Sequence, residues 1–133
     1  QSHKHLPEMQ KQCGLEYAPV FVPVVGNFYS GMIVTLPLHA SLLKGAPSAD
    51  ALRAVYQKHY QSGLVHVSGE APSALYANAY AGRDDMEIFV SGADGRLLVS
   101  ALFDNLGKGA SGAAIECFNL MRGAPADAGL TLG

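Results

Sequence analysis

Along this chain of 133 residues the spacing of apolar positions alternates between helical and extended periods, and each change marks an element boundary. Leu6 to Cys13 reads as a short helix: Pro7 lies in the first turn, where a missing N–H costs nothing, Glu8 sits near the positive N-terminus, and Gly14 stops it. "YAPVFVPVVG" and "FYSGMIVTLPLH" are rich in β-branched and aromatic residues and read as extended. Pro19, Pro23 and Pro37 confine them to edges, strand ends or bulges, and "GNFYSG" between them is a turn candidate. Ser48 suits the N-cap of a second helix, with an apolar stripe at Leu52, Val55, Tyr56 and Tyr60, ended by Gly63.

"LVHV" predicts a brief strand. "MEIFVS" and "RLLVSALF" flank "GADG", whose Asp94-Gly95 pair is a strong signal for an antiparallel hairpin. "DNLGKGASGAAIECFNLM" predicts a small-residue turn running into a helix that stops near Gly123 and Pro125. Hairpin-linked strands with helices between them describe one α+β domain, residues 1–133, with a mainly antiparallel sheet covered by helices on one side.

Composition narrows the chemistry. A net charge of -2, with Lys and Arg scattered singly, gives no footprint for nucleic acid or an acidic membrane, and no apolar run approaches the ~20 residues of a membrane span. Cys13 and Cys117 lie far apart in apolar helical stretches and read as reduced core thiols, which suits a cytoplasmic protein. His3 and His5, as His-x-His, could supply two metal ligands, but zinc needs more, and His39, His59 and His66 have no ligand spacing, so no metal site is expected. Read from residues alone, the pair suits either hydrogen-bonded structural histidines or an acid–base role near neutrality. The glycines of "DNLGKGASGAAIE" match neither the P-loop nor the dinucleotide fingerprint; tight helix packing is their simpler use, and anion or carboxamide binding the alternative.

"HKHLPEM", "FVPVVGNFYSGMIVTLPL" and "DNLGKGASGAAIECFNLMRGAP" occur in an order and spacing that resemble the N-acetyl-gamma-glutamyl-phosphate reductase family over nearly the whole chain. The last run also resembles a shorter version in the related aspartate-semialdehyde dehydrogenases, and the His-x-His motif favours the reductases. The resemblance implies an NADP-dependent reduction of a small acyl phosphate in arginine biosynthesis, in which a cysteine thiolate attacks the acyl phosphate and hydride transfer releases the semialdehyde. It implies that this chain is part of a longer enzyme. The substrate and dimerisation domain would be present, like the C-terminal domain of glyceraldehyde-3-phosphate dehydrogenase-like enzymes, and the nucleotide-binding domain and nucleophile would lie outside it.

On that basis His3 is the catalytic base partner and His5 a supporting residue. Asn105, Lys108 and Gly109 would contribute to the cofactor site, and the chain alone would be inactive. Residues 104–123 would dock on the nucleotide-binding domain; without it the helix would fold back, fray or be buried in a homo-oligomer. Two departures stand out: Ser30 replaces a common Arg, and Val22 and Val24 replace Thr and His. A stand-alone α+β binding or oligomerisation module without chemistry is the reading from a different class.

Overall fold

The computed structural model describes residues 3–61 and 63–133. Its centre is the expected hairpin: β3 (Met86–Ala93) and β4 (Arg96–Phe103) pair antiparallel, Val90 opposite Val99. Asp94 and Gly95 both take positive φ, 53° and 74°, as a two-residue turn matched to strand twist requires. β1 (Met32–His39) joins β4 antiparallel with Leu36 opposite Val99, and β2 (Val65–Val67) joins β3 in parallel, giving the order β1-β4-β3-β2. The sheet is therefore mixed, its antiparallel majority carrying one short parallel strand at the edge. Pro37 falls in the other edge strand, where a missing donor is tolerated.

Alternation of side chains splits the sheet into two faces. On one, Ile88, Val90 and Val99 meet α2 (Ala49–His59), which lays Leu52, Tyr56 and the following Tyr60 across β2 and β3. Ser48 caps α2 by accepting a hydrogen bond from Ala51 N at 3.2 Å, Asp50 lies in the first turn, and Lys58 and His59 lie in the last, each complementing the helix dipole. Val55 belongs to the predicted stripe but faces solvent. On the opposite face Phe89 and Leu102 pack beneath Tyr80, with Leu75 and Ile33 beside them.

Two expectations are corrected. "YAPVFVPVVG" is extended but joins no sheet: Pro19 and Pro23 remove donors, and none of the described strands pairs with it. Cys13 and Cys117 are exposed rather than core residues. Cys13 caps the surface helix α1 (Leu6–Gln12), whose one buried residue is Leu6, and Cys117 lies on α3 (Gly112–Met121), which no other described layer covers. Within the chain α3 is a complete helix with Phe118, Leu120 and Met121 open to solvent.

A wide π-type turn, Gly107–Ser111, leads into α3. A Cβ at Gly107 would strike the Arg83 carbonyl and one at Gly112 the Asp84 carboxylate, so the small residues here serve close packing. The chain beyond α3 is held by Asn119, which donates to the carbonyls of Ala126 and Ala128, and by Thr131, paired with Asp84 through Asp84 N to Thr131 O at 2.7 Å and Thr131 N to Asp84 Oδ2 at 2.9 Å.

Candidate functional site

His3 and His5 stand together at the start of α1, their ring centroids 5.0 Å apart. His5 occupies the N-cap position without capping through its side chain, so its ring remains free for other work. His3 is half-buried, tilted against the Phe21 ring at 4.5 Å, and its Nδ1 accepts a long 3.4 Å hydrogen bond from His5 N. Acceptance at Nδ1 puts the proton of a neutral ring on Nε2; acting as a base at Nε2 requires the other tautomer, at the loss of only this weak contact.

Both histidines open onto a groove of about 680 Å³ between the extended segment around Phe21 and the sheet. Its floor is Ile33, Thr35 and Pro37 of β1 with Leu98 of β4, an apolar surface broken by the Thr35 hydroxyl, which lies 3.0 Å from that of the buried Ser100. A second groove of about 530 Å³ adjoins it, sharing Val24, Met32 and Ile33, and is lined by Ser30, Gly31 and Asn105. The two together form an apolar trough with a few convergent polar groups, the usual character of a small-molecule site.

The second groove is positioned by a buried carboxylate. Asp104, at the end of β4, accepts hydrogen bonds from Ser30 Oγ (2.9 Å), Gly82 N, Leu106 N (2.7 Å) and Gly107 N (3.3 Å). Burial pushes its pKa up, but these four donors outweigh that and hold it below the ordinary carboxylate value. Next to it Asn105 Oδ1 accepts from Gly31 N at 2.8 Å, which leaves the Asn105 amide nitrogen with two donors to offer. Gly31 has φ 119°, and a Cβ there would strike the Ala77 carbonyl, so only glycine fits this clasp. Ser30 thus has a structural partner in Asp104, where an Arg would bring a cation.

The expected cofactor trio is divided. Asn105 lines the trough, but Lys108 is committed to Glu116 at 2.5 Å with its side chain only 11% exposed, and Gly109 packs near the Phe103 ring with its N–H on the Asp104 carbonyl. Neither lines the two grooves.

A second buried carboxylate, Asp85, lies at the start of β3. Arg83 grips it with two N–H groups, Nε at 2.8 Å and Nη2 at 2.5 Å, and His66 Nε2 approaches at 3.1 Å. Burial raises its pKa, while the Arg83 bond and charge and the His66 contact bring it to a net lowering. Arg83 also covers the Tyr80 ring at 3.9 Å, and Tyr80 donates to Glu87 Oε2 at 2.8 Å. Burial, that bond and the Glu87 charge push the Tyr80 hydroxyl up to about 12. Sequence reasoning singled out neither Asp85 nor Asp104. Asp104 carried a signal: an aspartate ending an apolar strand before a small-residue turn suits side-chain bonds to the backbone two and three residues on. Among the described residues no three metal-binding side chains gather to hold an ion, and no helix is long and apolar enough to cross a membrane.

A family model described as "Semialdehyde dehydrogenase, dimerisation domain" matches residues 1–105. Proteins named N-acetyl-gamma-glutamyl-phosphate reductase from Brucella ovis, Brucella canis and Brucella abortus are each 45% identical to this chain over 128 residues, covering 91% of it. The chain spans 41% of the length of each of these relatives.

Proposed function

Because this chain belongs to the semialdehyde dehydrogenase dimerisation-domain family, we propose that it is the substrate and dimerisation part of a cytoplasmic, NADP-dependent N-acetyl-gamma-glutamyl-phosphate reductase of arginine biosynthesis. The observation that carries this reading is the 45% identity to three proteins of that name across 91% of the chain. The family description alone would equally suit a semialdehyde dehydrogenase; the identity and the His-x-His pair beside the trough favour the reductase.

In this reading the nucleophilic cysteine and most of the nucleotide site lie on polypeptide outside the chain. His3 takes the proton from the attacking thiol as the S–C bond forms and phosphate leaves, and His5 with Phe21 fixes the ring. Ile33, Pro37 and Leu98 keep water from the reacting acyl group, and Thr35 offers it a hydroxyl. The fit to a nicotinamide nucleotide is partial: the free donors of Asn105 suit a carboxamide, whereas Lys108, neutralised by Glu116, does not suit a phosphate. Bound there, the cofactor would supply hydride.

The test joins the preceding part of the Brucella ovis relative to this chain. Substrate-dependent NADPH oxidation by the joined protein, absent from the isolated chain, is the expected result. A folded, NADPH-binding chimera that leaves the acyl phosphate unreduced overturns the reading.

A further inference from the structure

We propose that the stretch after α3, residues 124–133, is a strap that positions the trough: by holding Asp84 it keeps the Gly82 N–H on Asp104 and the Asn105 side chain on Gly31. Asp84 is the positioning residue through which it acts. The strap has two fastenings. Asn119, buried near the end of α3, donates through Nδ2 to the Ala126 and Ala128 carbonyls at 3.1 and 2.9 Å. Further on, Asp84 N donates to Thr131 O at 2.7 Å and Thr131 N to Asp84 Oδ2 at 2.9 Å, a closed pair. A Cβ at Gly133 would strike the Arg83 guanidinium, so the strap also lies against the residue before Asp84.

Asp84 belongs to a loop that is fixed firmly at its ends and loosely between them. Tyr80 packs on Phe89 and Leu102, and Asp85 is fully buried in the grip of Arg83. Gly82, between them, is exposed, has φ 79° and carries no side chain to pack. Its N–H is what the loop gives to Asp104. The Asp84 carboxylate fills the space in front of Gly107 and Gly112, where a Cβ on either would meet its Oδ1. Three elements therefore meet at Asp84: the loop, the turn that enters α3, and the strap.

From Gly82 the path to the trough is short. Asp104 Oδ2 takes both the Gly82 N–H and the Ser30 hydroxyl, and the next residue, Asn105, closes on Gly31 N at 2.8 Å while lining the trough. A buried network of this kind is held by all its members together, and losing one weakens the rest. None of residues 124–133 is buried, so the strap is held by hydrogen bonds rather than by apolar packing. An element held in that way opens at a free energy well below that of the sheet. Its opening loosens the site and leaves the core folded.

The inference concerns how Asn105 is held, and it rests on the reductase reading only for what Asn105 meets. Its test is amide hydrogen exchange of the chain, read residue by residue by NMR, because the Gly82 and Gly31 N–H groups report the two links directly. Thr131→Pro removes the donor to Asp84 Oδ2, whereas Thr131→Ala leaves the backbone pair intact. Asp84→Ala removes the acceptor, and Asp84→Asn supplies another. Thr131→Pro and Asp84→Ala should each speed exchange at Gly82 and Gly31 about five- to tenfold, the weight of one hydrogen bond, with the β3–β4 ladder amides unchanged. Thr131→Ala and Asp84→Asn should match the parent. Folded variants in which Gly82 and Gly31 keep their parental rates overturn the positioning role, and so do ladder amides that accelerate by the same factor, which mark a general loss of stability. In the joined protein Asp84→Ala should raise KM for NADPH about fivefold. Faster exchange at Gly31 with that KM unchanged would remove the cofactor role of Asn105 and leave the strap's role in place.

Discussion

In the β3–β4 hairpin Val90 is completely buried and Leu97 and Leu102 nearly so, whereas Val20, Val24 and Val25, residues of the same kind, are almost wholly exposed. The polar groups divide the same way. Asp85 and Asp104 are as buried as the valines around the hairpin, and each has its charge met by three or more donor groups from this chain. The extended segment has few polar groups apart from its backbone, and the described structure gives that backbone no ladder. One region satisfies itself, in both apolar and polar terms. The other is built of strand-forming residues that no described strand pairs with, and the candidate site lies along the seam between them.

That contrast is broken most forcefully at Asp104. Asp104→Ala strands the Gly82, Leu106 and Ser30 donors, and each buried orphan costs about 1–3 kcal/mol before water recovers part of it. A loss of about 2–4 kcal/mol in chemical denaturation is expected; a change below about 0.5 kcal/mol would mean the network is not holding the fold. The pH dependence follows the same carboxylates. Their folded pKa values lie below the ordinary 3.8, so the stability they contribute is present above that value and is lost as pH falls through the lower folded-state values.

Tyr80 sharpens the comparison at the alkaline end. Its folded pKa of about 12 exceeds the ordinary 10.0, so its contribution is complete below pH 10 and disappears as pH rises towards 12. Tyr80→Phe should flatten the loss of stability across that window relative to the parent chain. Identical alkaline profiles for the two proteins would show that the Tyr80–Glu87 bond does not respond to pH in this way.

The smallest effect belongs to the open region. Val20→Ser, measured at dilutions where the chain is monomeric, should shift stability by no more than about 0.5 kcal/mol, as for any exposed side chain. A loss of about 2 kcal/mol or more, the cost of truncating a buried side chain, would mean the segment packs within its own chain.

Much of the self-satisfied half was legible in advance. Alternation in "MEIFVS" and "RLLVSALF", the Asp94-Gly95 turn and the Ser48 cap are local signals, and each formed as read. The parallel placement of β2 was not legible, because strand direction depends on a connection whose path no short-range pattern sets. Nor was the exposure of Cys13 and Cys117: an apolar helical face looks the same in sequence whether or not anything covers it. The failure of "YAPVFVPVVG" to join the sheet has a similar origin, since strand propensity says only that residues suit a pleated surface and not that a neighbour exists. At the candidate site the His3/His5 pair was visible as a motif, while the Asp104–Ser30 clasp joins residues 74 positions apart.

The claim that ties these regions together is that the seam carries a reacting site with His3 as its acid–base group. It is tested most directly by the turnover of the Brucella-derived chimera with His3→Ala. General acid–base assistance is worth about 10²–10⁴-fold, so kcat should fall by that factor while NADPH affinity is unchanged. Unaltered turnover in the folded variant would contradict the account and remove His3 from the chemistry.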